Sequence, residues 1–372
     1  MITRDALHRI LGVAVNNVQW GQAQLPVKMG GIGLRAATDH APAAYVMSLI
    51  ASHDLQLKIL GQTEEQLPLN INQDLLTILS WKQNEEATLD SLYGMSQKAV
   101  SEKIDKLCLE QITKFYQDQD NTREEARMMS VGLEHSGDWL NVIPSLSLGL
   151  HMRSVEFVTS VRYRLGCQVY PADGTCPACK LDSDKFGDHA ISCGSDGERI
   201  ARHNTLRNAL YSTARTGCLA PVNEASALIP VSRSRPADVL LPNWTAGKDT
   251  ALDVTVVNPL QAKLVDNTAT NPGSALQYAY NWKMKGAGEA CRQEGIVFLP
   301  MPVETLGGWH EEAANQVKKL AVAKARQKGE DQGDSVRRLF QLLSVLLVKG
   351  NAALFLSRDP TLLSQESENV EK

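Results

Sequence analysis

Four residues, Cys176, Cys179, His189 and Cys193, follow one another as C-x2-C-x9-H-x3-C. Two thiolates two residues apart reach one ion from a tight turn, and a His and a Cys four apart meet it from a single helical turn. A sulfur-rich donor set of this kind suits zinc and disfavours magnesium or calcium. Protein donors fill all four places, so the expected zinc is structural. Cys167 is a spare thiol nearby that could replace one ligand, while Asp182, Asp184 and Asp188 read as surface residues of the intervening loop. The competing reading is four unrelated buried polar side chains. Seven cysteines, four of them in this cluster, fit a metal site in a reducing compartment better than a disulfide framework.

A second constellation is carboxylate. Asp238 stands in RPADVLLPNW and Asp253 in ALDVTVV, with 14 residues between them. That interval holds a strand, a turn and a return, so antiparallel pairing would bring both carboxylates to one sheet edge. An aspartate between Leu252 and Val254 must be paired or metal-bound if it is buried. Two such groups can hold Mg²⁺, leaving water on the ion for phosphodiester hydrolysis. By strand alternation Asp253 shares a face with Thr255 and Val257. A lysine at 255 would enter the same site, but the chain has Thr there. Lys283 and Lys285, on the helix that follows, are the cations available to polarise water or neutralise the transition state. Glu224 is a candidate third acidic ligand, and Glu304 on an expected outer strand is another. The alternative is a pair of aspartates that fix turns and a salt bridge.

Between the two constellations, residues 198–215 form an amphipathic helical pattern. Arg199, His203 and Arg207 lie four apart on one face and Leu206, Leu210 and Ala214 on another. The basic line is either a solvated face or an edge that contacts phosphate. With Arg235 and Lys285 it makes the candidate nucleic-acid contact set, and Lys180 and Lys185 adjoin it.

The elements that must position these groups follow from periodicity. Residues 1–155 read as mostly helical; in 96–115, Val100, Ile104, Leu107, Cys108 and Ile112 mark one buried face. The glycines of LPVKMGGIGLR, at 30, 31 and 33, read as a tight packing turn, because the strand, helix and lysine of a phosphate-binding loop are missing around them. Residues 156–197 hold the expected knuckle. In 198–328 the period changes to strands at 237–241 and 251–257, joined by the turn-rich PNWTAGKD. A helix at 275–293 follows, then GIVFLPMPVET, a strand broken by Pro300 and Pro302, and a helix at 311–326. Residues 329–372 carry a helix over 335–348, whose Leu339, Leu342, Leu343, Leu346 and Leu347 need a partner surface, and a frayed polar tail. The expected class is α+β: a helical N-terminal region, a zinc knuckle, and a small mixed-sheet core flanked by helices. No internal repeat is visible.

Composition bounds the rest. The 372 residues are 43% hydrophobic and 22% charged, which indicates folded domains rather than a disordered chain. A net charge of -4 leaves nucleic-acid contact to local patches. The apolar runs are shorter than the ~20 residues of a membrane span, and no signal-peptide pattern opens the chain. The expectation is a soluble intracellular protein of nucleus or cytoplasm, neither secreted nor membrane-bound.

The order CPAC, GDHAISC, ARHNTLRNAL, RPADVLLPNW, ALDVTVVNPL and CRQEGIVFLPMPVETLGGW resembles the C-terminal region of non-LTR retrotransposon polyproteins. There a CCHC zinc knuckle precedes a restriction-like endonuclease of the PD-(D/E)XK superfamily. LPVKMGGIGLRAATDHAPAAYVMS resembles the region just downstream of the reverse-transcriptase palm, and HSGDWLNVIPS and VRYRLG resemble the stretch leading into the knuckle. The resemblance implies Asp238 and Asp253 as Mg²⁺ ligands, Lys283 as the catalytic lysine, and a restriction-endonuclease-like core. It also implies nicking of a DNA target whose 3′ hydroxyl primes reverse transcription of element RNA.

The chain departs from that pattern in three places. Ala237 separates the usual Pro-Asp pair, and Ala287 stands where related elements often carry Tyr or His. No Y-x-D-D sequence or palm occurs, so synthesis would need a separate reverse transcriptase or the rest of a longer polyprotein. The alternative is a decayed element fragment that keeps only zinc-knuckle nucleic-acid binding. A helical protein with a zinc clip is the third reading.

Overall fold

A computed structural model describes residues 2–83, 86–195, 197–225, 228, 237–359 and 362. Helices take about 58% of the chain and, among the described residues, the main sheet has four strands, so the class is α+β as expected. With so little sheet, helices must cover both of its faces.

The N-terminal part is a helical array: α1 (Ile2–Leu11), α2 (Asn17–Gln24), α3 (Ala37–Leu60), α4 (Gln73–Gln83), α5 (Leu89–Leu92), α6 (Gln97–Gln117), α7 (Thr122–Val131) and α8 (Ser154–Arg164). In α6 the expected face is buried at Val100, Ile104 and Ile112, and Ser96 caps the first turn by accepting from Ala99 N. The glycine segment is a packing turn. A Cβ on Gly30 would lie 2.7 Å from the Val131 side chain, and one on Gly31 would lie 2.0 Å from the Leu25 carbonyl oxygen. Arg164 ties this turn down from inside. Its buried guanidinium donates to the carbonyls of Gly31 (3.1 Å), Ser136 (3.0 Å) and Val27 (2.9 Å).

The knuckle follows, with β1 (Gly174–Thr175) and β2 (Asp182–Ser183) as an antiparallel pair and then the short α9 (Asp188–Ser192). Helix α10 (Glu198–Thr216) leads into the sheet, whose order is β3 (Val222–Asn223), β4 (Val239–Thr245), β5 (Lys248–Val257), β6 (Val297–Glu304). The β4–β5 hairpin turns at Ala246 (φ 50°) and Gly247 (φ 73°), the two positive φ values that a tight hairpin with a right-handed strand twist demands. Strands β5 and β6 run parallel, so a crossover must join them. It consists of α11 (Val265–Thr270), α12 (Ser274–Lys283), a π-helical turn (Met284–Gly288) and α13 (Glu289–Gln293).

Pro300 and Pro302 do not break β6, contrary to the sequence expectation. The strand continues through both because β6 is an edge strand. The Pro302 carbonyl accepts from His310 N on the side away from β5, so the ring nitrogens of both prolines face off the ladder.

Alternation along β5 sorts the two layers. Leu252 and Val254 pack with Leu206, Leu210 and Ala214 of α10, and with α14 (Glu311–Lys328) and α15 (Gln332–Arg358). Ala251 and Val257 face the crossover layer, beside Cys291 and Phe298 for the first and Ala275, Leu276 and Ala279 for the second. Helix α15 is longer than the expected 335–348. Beyond Val348 it buries Ala352, Leu354 and Phe355 under the knuckle and N-terminal helices, which extends its apolar face by two to three turns. It alone is apolar and long enough to cross a membrane among the described residues, yet 72% of its most apolar 18-residue window is buried, as in a core helix. The tail at 363–372 lies outside the described residues.

Candidate active site and metal centre

The four knuckle residues converge. Cys176 Sγ and Cys193 Sγ are 4.0 Å apart, Cys179 Sγ and His189 Nε2 are 3.2 Å apart, and all four donor atoms lie within 4.8 Å of one another. Such separations fit a tetrahedral ion with ligand bonds of about 2.0–2.3 Å. The cluster could therefore hold a metal such as zinc. Local structure explains the convergence. Cys176 N donates to Leu181 O and Lys180 N to Cys176 O, closing the thiolate turn, with Lys180 at φ 64°. Asp184 caps α9, accepting from Asp188 N at 3.0 Å and His189 N at 2.7 Å, which sets the turn that carries His189 and Cys193. Burial opposes ionisation of Cys193, but hydrogen bonds from Ser195, Arg358 and Cys179 outweigh it and bring the thiol down to about 6.

One expectation here needs correction. Asp184 and Asp188 are working residues rather than idle surface ones: the first is the cap, and the second is half-buried and pairs with Arg123 (2.6 and 3.0 Å). Cys167 is a buried core thiol packed with Leu11, Val15 and Leu165, and it is not part of the donor cluster.

The carboxylate pair also assembles. Val239 pairs with Leu252, so the next step of the register sets Asp238 opposite Asp253, and Asp238 N donates to Leu252 O at 2.9 Å. Asp253 emerges on the crossover face, while the Asp238 carboxylate, just before β4, reaches His203 of α10. Lys283, the last residue of α12, puts Nζ 2.8 Å from Asp253 Oδ2. Burial pushes the Asp253 carboxyl up to about 6; Lys283 opposes this and the neighbouring Asp238 adds to it. Asp238 is held from the other side, where its Oδ2 accepts from Val254 N at 2.7 Å and from His203 Nε2 at 3.0 Å. The same His203 Nε2 lies 3.0 Å from Val254 O. Both neighbours are acceptors, so Nε2 carries the proton. Its hydrogen bond to Asp238 raises the His203 pKa above the ordinary value, burial notwithstanding.

The remaining candidates divide. Glu224 adjoins Asp238, its backbone N donating to Asp238 O at 3.0 Å, while its carboxylate pairs with Arg207. Arg207 is buried by that pair, and the line Arg199, His203, Arg207 is neither one solvated face nor one free phosphate edge. Only Arg199 is exposed, with Nη1 on Ser192 O at 2.9 Å. Lys285 is exposed on the π-helical turn, and Ala287 packs with Cys291 and Phe298. Glu304 sits four residues farther along β6 than the partner of Asp253, about 13 Å up the strand. Burial pushes its carboxyl up to about 7, the Ser130 hydroxyl opposing, and it takes no part in this site. Arg235 lies outside the described residues.

Sequence reasoning left the role of His203 open between phosphate contact and surface. Its position four residues after Arg199 gave no sign that it would orient Asp238. Trp282 and Tyr278, exposed beside the site, were not singled out at all; their signal was a four-residue spacing ending next to Lys283. Neither a scan of protein-family models nor a search of curated proteins finds a match for this chain.

Proposed function

We propose that the protein is a divalent-metal-dependent DNA endonuclease that nicks one strand of its target, as the resemblance to retrotransposon endonucleases implies. The observation that carries this reading is that Asp238 and Asp253 lie opposite each other at the two central strands of the mixed sheet, with Lys283 of the crossover helix on Asp253. The carboxylates of Asp238 and Asp253 fit Mg²⁺, a hard cation that prefers oxygen donors. When bound, the ion would supply Lewis-acid activation of the phosphodiester and an attacking water. Lys283 holds the Asp253 carboxylate in place and offers an ammonium to the charge that builds on the phosphate in the transition state. His203 and Val254 N keep Asp238 aimed. The knuckle would carry a structural zinc. Chain placement favours this, because Asn258 just past β5 donates to Ser192 Oγ at 2.8 Å, joining the knuckle to the sheet. The partner is target DNA, with element RNA and a separate reverse transcriptase implied for synthesis.

The test is conversion of supercoiled plasmid to open circle with Mg²⁺ or Mn²⁺, comparing the chain with Asp253→Asn and Lys283→Ala. Nicking by the unaltered chain alone supports the reading; nicking that persists in Asp253→Asn refutes it. One observation favours a second reading, nucleic-acid binding without cleavage: the Glu224 carboxylate pairs with Arg207, so a metal would compete with that guanidinium for a third carboxylate. DNA binding with no nicking under either metal, on several target sequences, supports that reading.

A further inference from the structure

Between the knuckle, α10, β5 and α12 lies an open cleft of two adjoining basins, about 350 and 470 Å³, which share Arg199, Arg202, Thr255, Val256 and Trp282. Lys263 lines one basin and Lys283 the other, and no carboxylate lines either among the described residues. Arg202 forms a buried part of the wall. Nη1 is fixed on Asn351 Oδ1 at 2.7 Å, and Nε has no partner among the described residues. Thr255 Oγ1 is likewise buried without one. In a chain of net charge -4, this is a local concentration of fixed positive charge.

One wall carries two exposed aromatic rings. Trp282 is 62% exposed and Tyr278 45%, four residues apart on α12. Each has a cation beside it: Lys283 Nζ is 5.6 Å from the Trp282 ring centre and Lys263 Nζ 5.0 Å from the Tyr278 ring centre. A nucleotide offers a base to such a ring and a phosphate to such a cation. Four residues of helix rise about 6 Å, well beyond the 3.4 Å between neighbouring bases of one strand in a duplex. An extended strand with unpaired bases can match that interval, whereas a duplex keeps its bases turned inward.

Resting on the nuclease reading for the site itself, we infer that this cleft seats one unpaired DNA strand. Successive bases stack on Trp282 and Tyr278, and the backbone passes over Arg199, Arg202 and Lys263 toward Lys283. The rings would hold DNA opened next to the scissile phosphate and make the site selective for locally melted target.

The test is equilibrium binding by the full zinc-loaded chain, with no magnesium present so that cleavage plays no part. Probes are fluorescein-labelled oligo(dT), an oligo(U) of the same length and a duplex of that length. Trp282→Ala and Tyr278→Ala should each weaken oligo(dT) binding roughly 5- to 150-fold, leave duplex binding within twofold, and leave the melting temperature unchanged because both rings are exposed. Trp282→Phe should restore most of the affinity. Alanine variants that bind oligo(dT) like the unaltered chain, or that lose single strand and duplex alike, overturn the inference. Tighter binding of oligo(U) than oligo(dT) overturns the assignment to DNA. Ring-dependent binding in a chain that never nicks plasmid would sink the nuclease reading and leave this one standing.

Discussion

Lys283 Nζ lies 2.8 Å from Asp253 Oδ2 although 30 positions separate the two residues, one on the second strand of a hairpin and one at the end of a crossover helix. The pair compensates a carboxylate buried on the sheet face, and removing either partner has a different cost. Lys283→Ala leaves the carboxylate uncompensated and should lower stability by about 1–3 kcal/mol. Asp253→Asn removes the buried charge itself and should cost less. Chemical denaturation of both variants at pH 7.5 checks the order; an equal loss would mean that the pair acts only through packing.

The pH dependence of that carboxylate has an unusual sign. Burial raises its folded value from 3.8 to about 6, so the native state holds the proton more tightly than the unfolded chain. Its contribution to stability is complete below about 4 and is lost as pH rises through about 6. Asp253→Asn should therefore gain on the unaltered chain between pH 4.5 and 7.5, by about 2 kcal/mol. Melting temperatures of both proteins across that range test it. Activity has the opposite trend, because a metal needs the carboxylate: nicking should fall about tenfold per pH unit below the apparent value.

His203 supplies a second titration in the same direction for stability. Its hydrogen bond to Asp238 raises the imidazole above 6.5, so its stabilising contribution is full below 6.5 and disappears as pH rises through the raised value. His203→Ala should be more destabilising at pH 6 than at pH 9. It should also reduce nicking at every pH, since Asp238 loses its orienting donor. An imidazole titration followed by NMR that falls below 6.5 would refute the coupling.

For the knuckle, zinc analysis should give one equivalent per chain, and Cys193→Ser should lose most of it. Because Asn258 and Arg199 both bond to Ser192, chelation should disturb the cleft as well as the knuckle. The expected readouts are weaker oligo(dT) binding and new protease sensitivity between residues 174 and 193, with the sheet intact.

Arg164 is the test of the N-terminal array. It serves the carbonyls of Val27, Gly31, Val131 and Ser136 from inside the protein; Val27 and Val131 keep a second donor, and Arg164→Met would strand the carbonyls of Gly31 and Ser136. A loss of about 2 kcal/mol or more is expected from two buried acceptors at 1–3 kcal/mol each, measured by urea denaturation. A change under 1 kcal/mol would show that water takes over the role.

Much of this protein was legible in local pattern. The spacing of Cys176, Cys179, His189 and Cys193 is a property of one tight turn and one helical turn, and few residues of chain decide whether they meet. The hairpin from 239 to 257 likewise follows from strand alternation and an Ala-Gly turn, but Asp238 stands opposite Asp253 only because the register shifts by two residues between Leu241 and Thr245. What lay beyond the sequence is what distant elements bring together. His203 could be placed on a helix face, but which strand edge that face meets depends on how α10 packs over Leu252 and Val254. Glu224 and Arg207 look like a ligand and a phosphate contact, and they become each other's partner only because β3 joins the sheet beside α10. Pro300 and Pro302 are strand breakers by type and are tolerated because tertiary pairing leaves β6 at the edge. Side-chain chemistry and short-range period are local, so the sequence determined them by itself. Which charges neutralise one another depends on long-range packing, and only the tertiary structure decided that.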